Sequence, residues 1–209
     1  MTPTINQKIL DNGLRVVHEP MPWLSSASVT LLLPFGAVTD PEGLEGAATV
    51  LNDWQERGAG ELDSRALSER FDSLGVRRGG GAGKEYTTFS ASLLASAFPD
   101  ALSLLADIVR RPKLPEAEFA PARTLAEQEL ASLADNPTQK LFETLSKRYF
   151  VSEHGRSAYG SEAGLAALSA EALRQDFKER VGPDGAILSV AGGLEWQDVL
   201  REVEAALGS

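Results

Sequence analysis

The chain has 209 residues, and its twenty Lys and Arg stand against thirty Asp and Glu, a net charge of −10. That balance repels phosphate backbones and acidic membranes, so nucleic acid and anionic lipid surfaces are poor partners. The absence of cysteine excludes disulfides and thiolate metal sites. The length suits one large domain over residues 1–209, and no repeat of solenoid length interrupts it. Residues 1–6 have neither a basic start nor an apolar run, and no stretch approaches membrane-spanning length, so a cytoplasmic protein without membrane contact is expected.

In chain order, residues 6–20 alternate around Asn12-Gly13 and predict a hairpin, and residues 27–33 predict a strand. A loop over residues 36–41 leads to a helix predicted over residues 43–58. A short helix over residues 67–75 follows, ending at Gly75, and then a glycine-rich segment, Gly79-Gly80-Gly81-Ala82-Gly83-Lys84. Helices are expected over residues 101–112 and 119–130, and an exposed one over residues 169–181, capped by Ser169 with Glu171 in its first turn. A strand over residues 186–193 and a helix over residues 196–207 close the chain. Early strands followed by consecutive helices do not suit a doubly wound parallel sheet. They predict an α+β arrangement: a mixed, largely antiparallel sheet with helices packed mainly on one face.

The helix over residues 43–58 carries the most information. It reads Gly-Leu-Glu-Gly-Ala-Ala and then Thr49-Val50-Leu51-Asn52-Asp53, with Arg57-Gly58 behind. This frame resembles the metal helix of the pitrilysin, insulinase and mitochondrial processing peptidase family, where His-x-x-Glu-His is followed by a basic residue and glycine. Two histidines four apart lie on one helical face and can aim at a single zinc ion, and the glutamate beside them activates the bound water. Here Thr49 and Asp53 stand at the histidine positions and Asn52 at the glutamate, a neutral amide that accepts no proton. The opening hairpin with its Asn-Gly-Leu-x-Val, the loop at residues 36–41, and the segment 119–130 with Asp135-Asn136-Pro137 resemble the same family. On that alignment Glu129 falls on the third ligand, and Ala122 on a further family glutamate. The resemblance covers nearly the whole chain and implies the first of two related repeats, the second being absent from this chain.

The glycine-rich segment is not a Walker loop, since Arg78 stands at the required first glycine and Glu85 at the required Ser or Thr. It resembles the family's edge strand, which pairs with extended peptide. Gly79, Gly80, Lys84 and Glu85 fall in it, and glycine there is expected to loosen the strand. Asp53, Glu129 and Asn52 offer oxygens to a hard cation, but fewer than such ions take, so solvation or mutual hydrogen bonding is the expectation. His18 and His154 have no histidine neighbour at ligand spacing and are expected on the surface.

The resemblance therefore implies a metallopeptidase scaffold with its zinc motif dismantled, no metal or other cofactor, and no activity alone. The first expectation is a non-catalytic subunit or half of a peptidase assembly, partnered by a catalytic zinc-peptidase chain or by further copies of itself. An altered metal-dependent endopeptidase and a peptide-binding module without chemistry stay open beside it.

Overall fold

A computed structural model describes residues 5–208; the start of the amino-terminal segment, residues 1–4, lies outside them. Strands β1 (Asn6–Ile9) and β2 (Arg15–Pro20) form the expected antiparallel hairpin, with Asn6 opposite His18. Strand β3 (Ser26–Leu33) leads to α1 (Ala47–Gln55), then to a small hairpin of β4 (Gly58–Ala59) and β5 (Leu62–Asp63). Helix α2 (Ser64–Ser73) precedes a second hairpin, β6 (Arg77–Ala82) and β7 (Thr87–Leu94). Five helices follow: α3 (Phe98–Arg110), α4 (Glu116–Ser132), α5 (Pro137–Tyr149), α6 (Glu162–Ala167) and α7 (Ala170–Arg180). Strand β8 (Ile187–Gly192) and helix α8 (Trp196–Leu207) end the fold.

The main sheet has the order β1-β2-β8-β3-β7-β6. Only β2 and β8 run parallel, so the sheet is mixed and largely antiparallel, as expected. Its two faces follow from period-two alternation. Val29, Leu31 and Leu33 of β3, Phe89, Ala91 and Leu93 of β7, and Leu188 and Val190 of β8 are buried on one face with the helices. Ser28, Thr30, Ser90, Ser92 and Ser189 occupy the alternate positions, half-buried or exposed. A sheet that is apolar on one side and hydroxyl-rich on the other takes its helices on the apolar side.

Several expected boundaries move. Helix α1 starts at Ala47 rather than near residue 43, because Gly43 and Gly46 adopt left-handed φ values of 78° and 106°. Helix α2 begins at Ser64, where the Asp63 side chain accepts from Ala66 N at 2.8 Å. Helix α3 begins at Phe98 with Pro99 in its first turn, where the missing N–H costs nothing. Helix α7 is capped by Ser169 as expected, but it is not an exposed helix: Leu173 is fully buried and Asp176 nearly so.

His18 is a larger correction. It is fully buried, on the same alternation as Val16, and its ring stacks on Trp196 of α8 at 5.9 Å with a 9° interplanar angle. Neither ring nitrogen has a hydrogen-bond partner of ordinary geometry. Burial lowers its pKa, against opposing pulls from the Glu195 carboxylate and the Leu194 backbone. His154 does lie at the surface, 3.6 Å from Glu85.

Candidate functional site

Helix α1 is held at both ends by charge. At its start the Asp40 carboxylate, almost fully buried, accepts from Gly46 N at 2.8 Å and Ala48 N at 2.9 Å, and Arg180 donates to it at 3.2 Å. Burial raises the Asp40 pKa, with these donors pulling the other way. Arg180 also pairs with Asp176 one turn earlier on α7, so α1, α7 and the loop before α1 meet at one ionic cluster. In the core, Trp54 donates Nε1–H to Pro115 O at 2.9 Å and meets Phe119 edge-on at 5.2 Å, which fixes α1 against α4. At the far end Arg57 bonds Asp53 at 2.6 Å and Glu118 of α4 at 2.8 Å.

These contacts set a cleft of about 830 Å³ between α1, α4 and the edge strand β6. Thr49, Asn52, Asp53 and Glu129 all line it, so the residues singled out in the sequence share one site. They do not bond one another. The Thr49 hydroxyl donates to Ala158 O at 2.6 Å, a carbonyl 109 residues away. The Asn52 Nδ2 is buried without a hydrogen-bond partner. Asp53 is committed to Arg57, while Glu129 is exposed at the cleft, its pKa raised first by desolvation and then by the Asp53 charge. Glu56, in the same cleft, is likewise raised by burial and by Asp53, and Arg78 of β6 counters it from 2.9 Å. Ala122, also in the wall, is buried. Among the described residues no three His, Cys, Asp or Glu side chains converge as a metal-holding group.

The edge segment divides in two. Gly79 and Gly80 belong to β6, whose outer side is unpaired in the sheet. Lys84 and Glu85 lie in the turn beyond it. The Lys84 ammonium donates to Ser146 Oγ at 2.6 Å, Arg156 O at 2.9 Å and His154 O at 3.1 Å, tying that turn to α5 and the loop after it. Gly80 does more than loosen the strand. Its φ is +137°, and a Cβ there would collide with the Thr88 carbonyl oxygen of β7, so this backbone path requires glycine. A Cβ at Gly79 meets only Ser90 Oγ, at 3.2 Å.

Sequence reasoning did not assign Asp40, Arg57, Arg180 or Ala158 to the site. The Asp53 to Arg57 spacing of four was a usable signal, since such pairs face each other on a helix. Nothing local announces Asp40, Arg180 or Ala158, whose partners are distant in sequence.

A mixed sheet with a helix pair closing a cleft beside its edge strand is the scaffold of a metallopeptidase domain. The chain belongs to the insulinase family (peptidase family M16), whose model matches residues 15–161. It is 25% identical to an uncharacterized zinc protease of Rickettsia bellii across 100% of this chain and 51% of that protein. It is 24% identical to a probable mitochondrial-processing peptidase subunit beta of Schizosaccharomyces pombe, over 99% of this chain and 45% of that one. The fold is similar to a protease from Helicobacter pylori, with a TM-score of 0.91 at 20% identity, covering 99% of this chain and 50% of that chain. It is also similar to a peptidase M16 inactive domain from Pseudomonas fluorescens, with a TM-score of 0.88 at 21% identity, covering 98% and 51%. The chain thus spans about half the length of the curated relatives it matches. No helix among the described residues is long and apolar enough to cross a membrane.

Proposed function

We propose that this chain is a catalytically degenerate peptidase domain that serves as the non-catalytic half or subunit of a peptidase assembly, and that it holds no zinc. One observation carries the reading: the side chains at both histidine positions of the motif are already committed to the protein. Thr49 donates its proton to Ala158 O, and Asp53 is neutralised by a guanidinium 2.6 Å away. A zinc site needs about four close N, S or O donors, and this set offers an engaged hydroxyl, an amide, a paired carboxylate and Glu129, with the Arg57 charge beside them. The water-activating glutamate is replaced by Asn52, and loss of a general base typically costs roughly 10²–10⁴ in rate.

Helix α5 supports the partner role. It buries no residue of its own, and Leu141, Phe142, Leu145 and Tyr149 are all exposed on it, an apolar stripe on a different face of the helix from Gln139 and Glu143, which reach the cleft. Such stripes mark protein contacts. The occupant is an intact relative carrying His-x-x-Glu-His, in the same cytoplasmic compartment. Co-expression of the two followed by size-exclusion chromatography should give a mixed peak that carries the peptidase activity, with an interface above roughly 1,000 Å². Leu141→Glu with Leu145→Glu should dissolve that peak while leaving the monomer folded. A fully active relative that never co-elutes refutes the subunit role.

The unpaired outer side of β6, bordering the cleft, favours a second reading, a module that takes extended peptide by strand addition without cutting it. Retention of a fluorescent extended peptide by the isolated chain, intact after prolonged incubation, distinguishes this from the first reading.

A further inference from the structure

Helix α5 is turned the opposite way from a helix packed on a core. Gln139, Lys140, Glu143, Thr144 and Lys147, three and four apart, face the body of the domain, where they line the cleft and two open grooves of about 750 and 550 Å³ between α5, α4 and α6. The apolar stripe of α5 lies away from them, in solvent. No residue of this 13-residue helix is buried, so the apolar burial that fixes the other helices is missing from it.

What holds α5 is polar and sits at its ends. The helix packs chiefly against the turns flanking it, residues 133–135 and 153–155. Among the described residues, one hydrogen bond joins an α5 side chain to a distant element, from Lys84 Nζ to Ser146 Oγ at 2.6 Å. The same ammonium donates to Arg156 O and His154 O, so a single cation on the β6–β7 turn clasps the end of the helix and the loop behind it. His154 and Glu85, 3.6 Å apart and exposed, add little. Beyond the clasp the chain is pinned again, by Arg156 donating to Asp40 O at 2.6 Å and by Thr49 donating to Ala158 O. The segment from Asn136 to His154 is thus a strap with two fixed ends and one clasp.

Gln139 and Glu143 of the strap share the cleft with Gly80, Gly81 and Ala82 of the unpaired edge, so the position of α5 decides the room beside that edge. We propose that α5 is a gate on the α1–α4 cleft, latched by Lys84, and that loss of the latch lets it swing clear of the β6 edge and opens the cleft to an extended peptide. Latched and open forms stand in equilibrium, and the three hydrogen bonds of one ammonium set their ratio. The device is a property of the isolated chain, so it stands or falls apart from the subunit reading.

Hydrogen–deuterium exchange of the isolated chain, read by mass spectrometry, tests the latch. Amides of residues 137–149 should exchange faster than those of α3, a helix with eight buried residues. Lys84→Met removes all three hydrogen bonds and keeps a side chain of similar length. It should speed exchange across α5 about ten- to a hundredfold, the range that charge-assisted hydrogen bonds command, and leave α3 unchanged. Access to the cleft is read separately. The chain has no cysteine, so Ala82→Cys places a single thiol at the cleft-lining edge. A bulky maleimide should label that thiol faster, by a similar factor, once Lys84→Met is added. Unchanged α5 exchange in Lys84→Met, or exchange that rises equally in α3, overturns the latch. Faster α5 exchange with unaltered labelling of the thiol overturns the gating of the cleft.

Discussion

Replacing Asp40 by alanine should unseat the start of the helix that carries the motif positions. The carboxylate, 1% exposed, satisfies Gly46 N–H and Ala48 N–H and pairs with Arg180. Without it, two backbone donors at a buried helix start lose their acceptor, at about 1–3 kcal/mol each. Arg180 keeps Asp176 and the Thr39 hydroxyl, so its charge is not abandoned and its share of the loss is small. The two together span about 2–6 kcal/mol, and the range for breaking a buried ion pair from one side narrows the expectation to about 3–5 kcal/mol. For a domain of this size each kcal/mol shifts Tm by roughly 2–4 °C, so a fall of about 6–20 °C is expected by scanning calorimetry. Asp40→Asn retains one acceptor oxygen and should fall between the two. Urea melts should show the loss as an earlier midpoint with the slope unchanged. An Asp40→Ala protein within about 1 kcal/mol of the parent would refute the view that this carboxylate anchors α1.

Three further outcomes are expected. The triple change Thr49→His, Asn52→Glu and Asp53→His should create measurable zinc binding with Glu129 as third ligand; Arg57 keeps Glu118, so the fold should persist, and adding Arg57→Gln should tighten the metal further. A folded triple variant that leaves equilibrium dialysis zinc-free would mean that Glu129 does not face the new imidazoles. Gly80→Ala should destabilise the chain by about 1–3 kcal/mol through strain at its left-handed φ and the clash with Thr88 O, whereas Gly79→Ala should stay within about 1 kcal/mol; equal melts for the two variants would contradict the assigned β6–β7 path. His18, with a folded pKa below its unfolded value, contributes stability that is present above about pH 6.5 and is lost as pH falls through that region, at no more than about 1.4 kcal/mol per pH unit. In His18→Leu that component should vanish from a pH series of chemical melts, and an unaltered acid limb would show that another group governs it.

Much was legible in the residues themselves. The opening hairpin announces itself by alternation around Asn12-Gly13, whereas the second, β6 with β7, does not, since β6 is largely glycine; the identity of Thr49, Asn52 and Asp53 is fixed by the chain alone, whatever surrounds them. Period and composition are local properties, and so is the chemistry a side chain can offer. What a side chain is engaged with is not local. Thr49 finds its acceptor 109 residues away, and Asp40 finds Arg180 at a separation of 140. His18 looked like a strand-end surface residue until α8 brought Trp196 over it, and Gly80 looked like a loosened edge until β7 placed the Thr88 carbonyl where a Cβ would sit. Sequence determined which atoms are available; burial, partnership and empty space were decided only when distant segments packed together, because each depends on what stands opposite a residue and not on what precedes it.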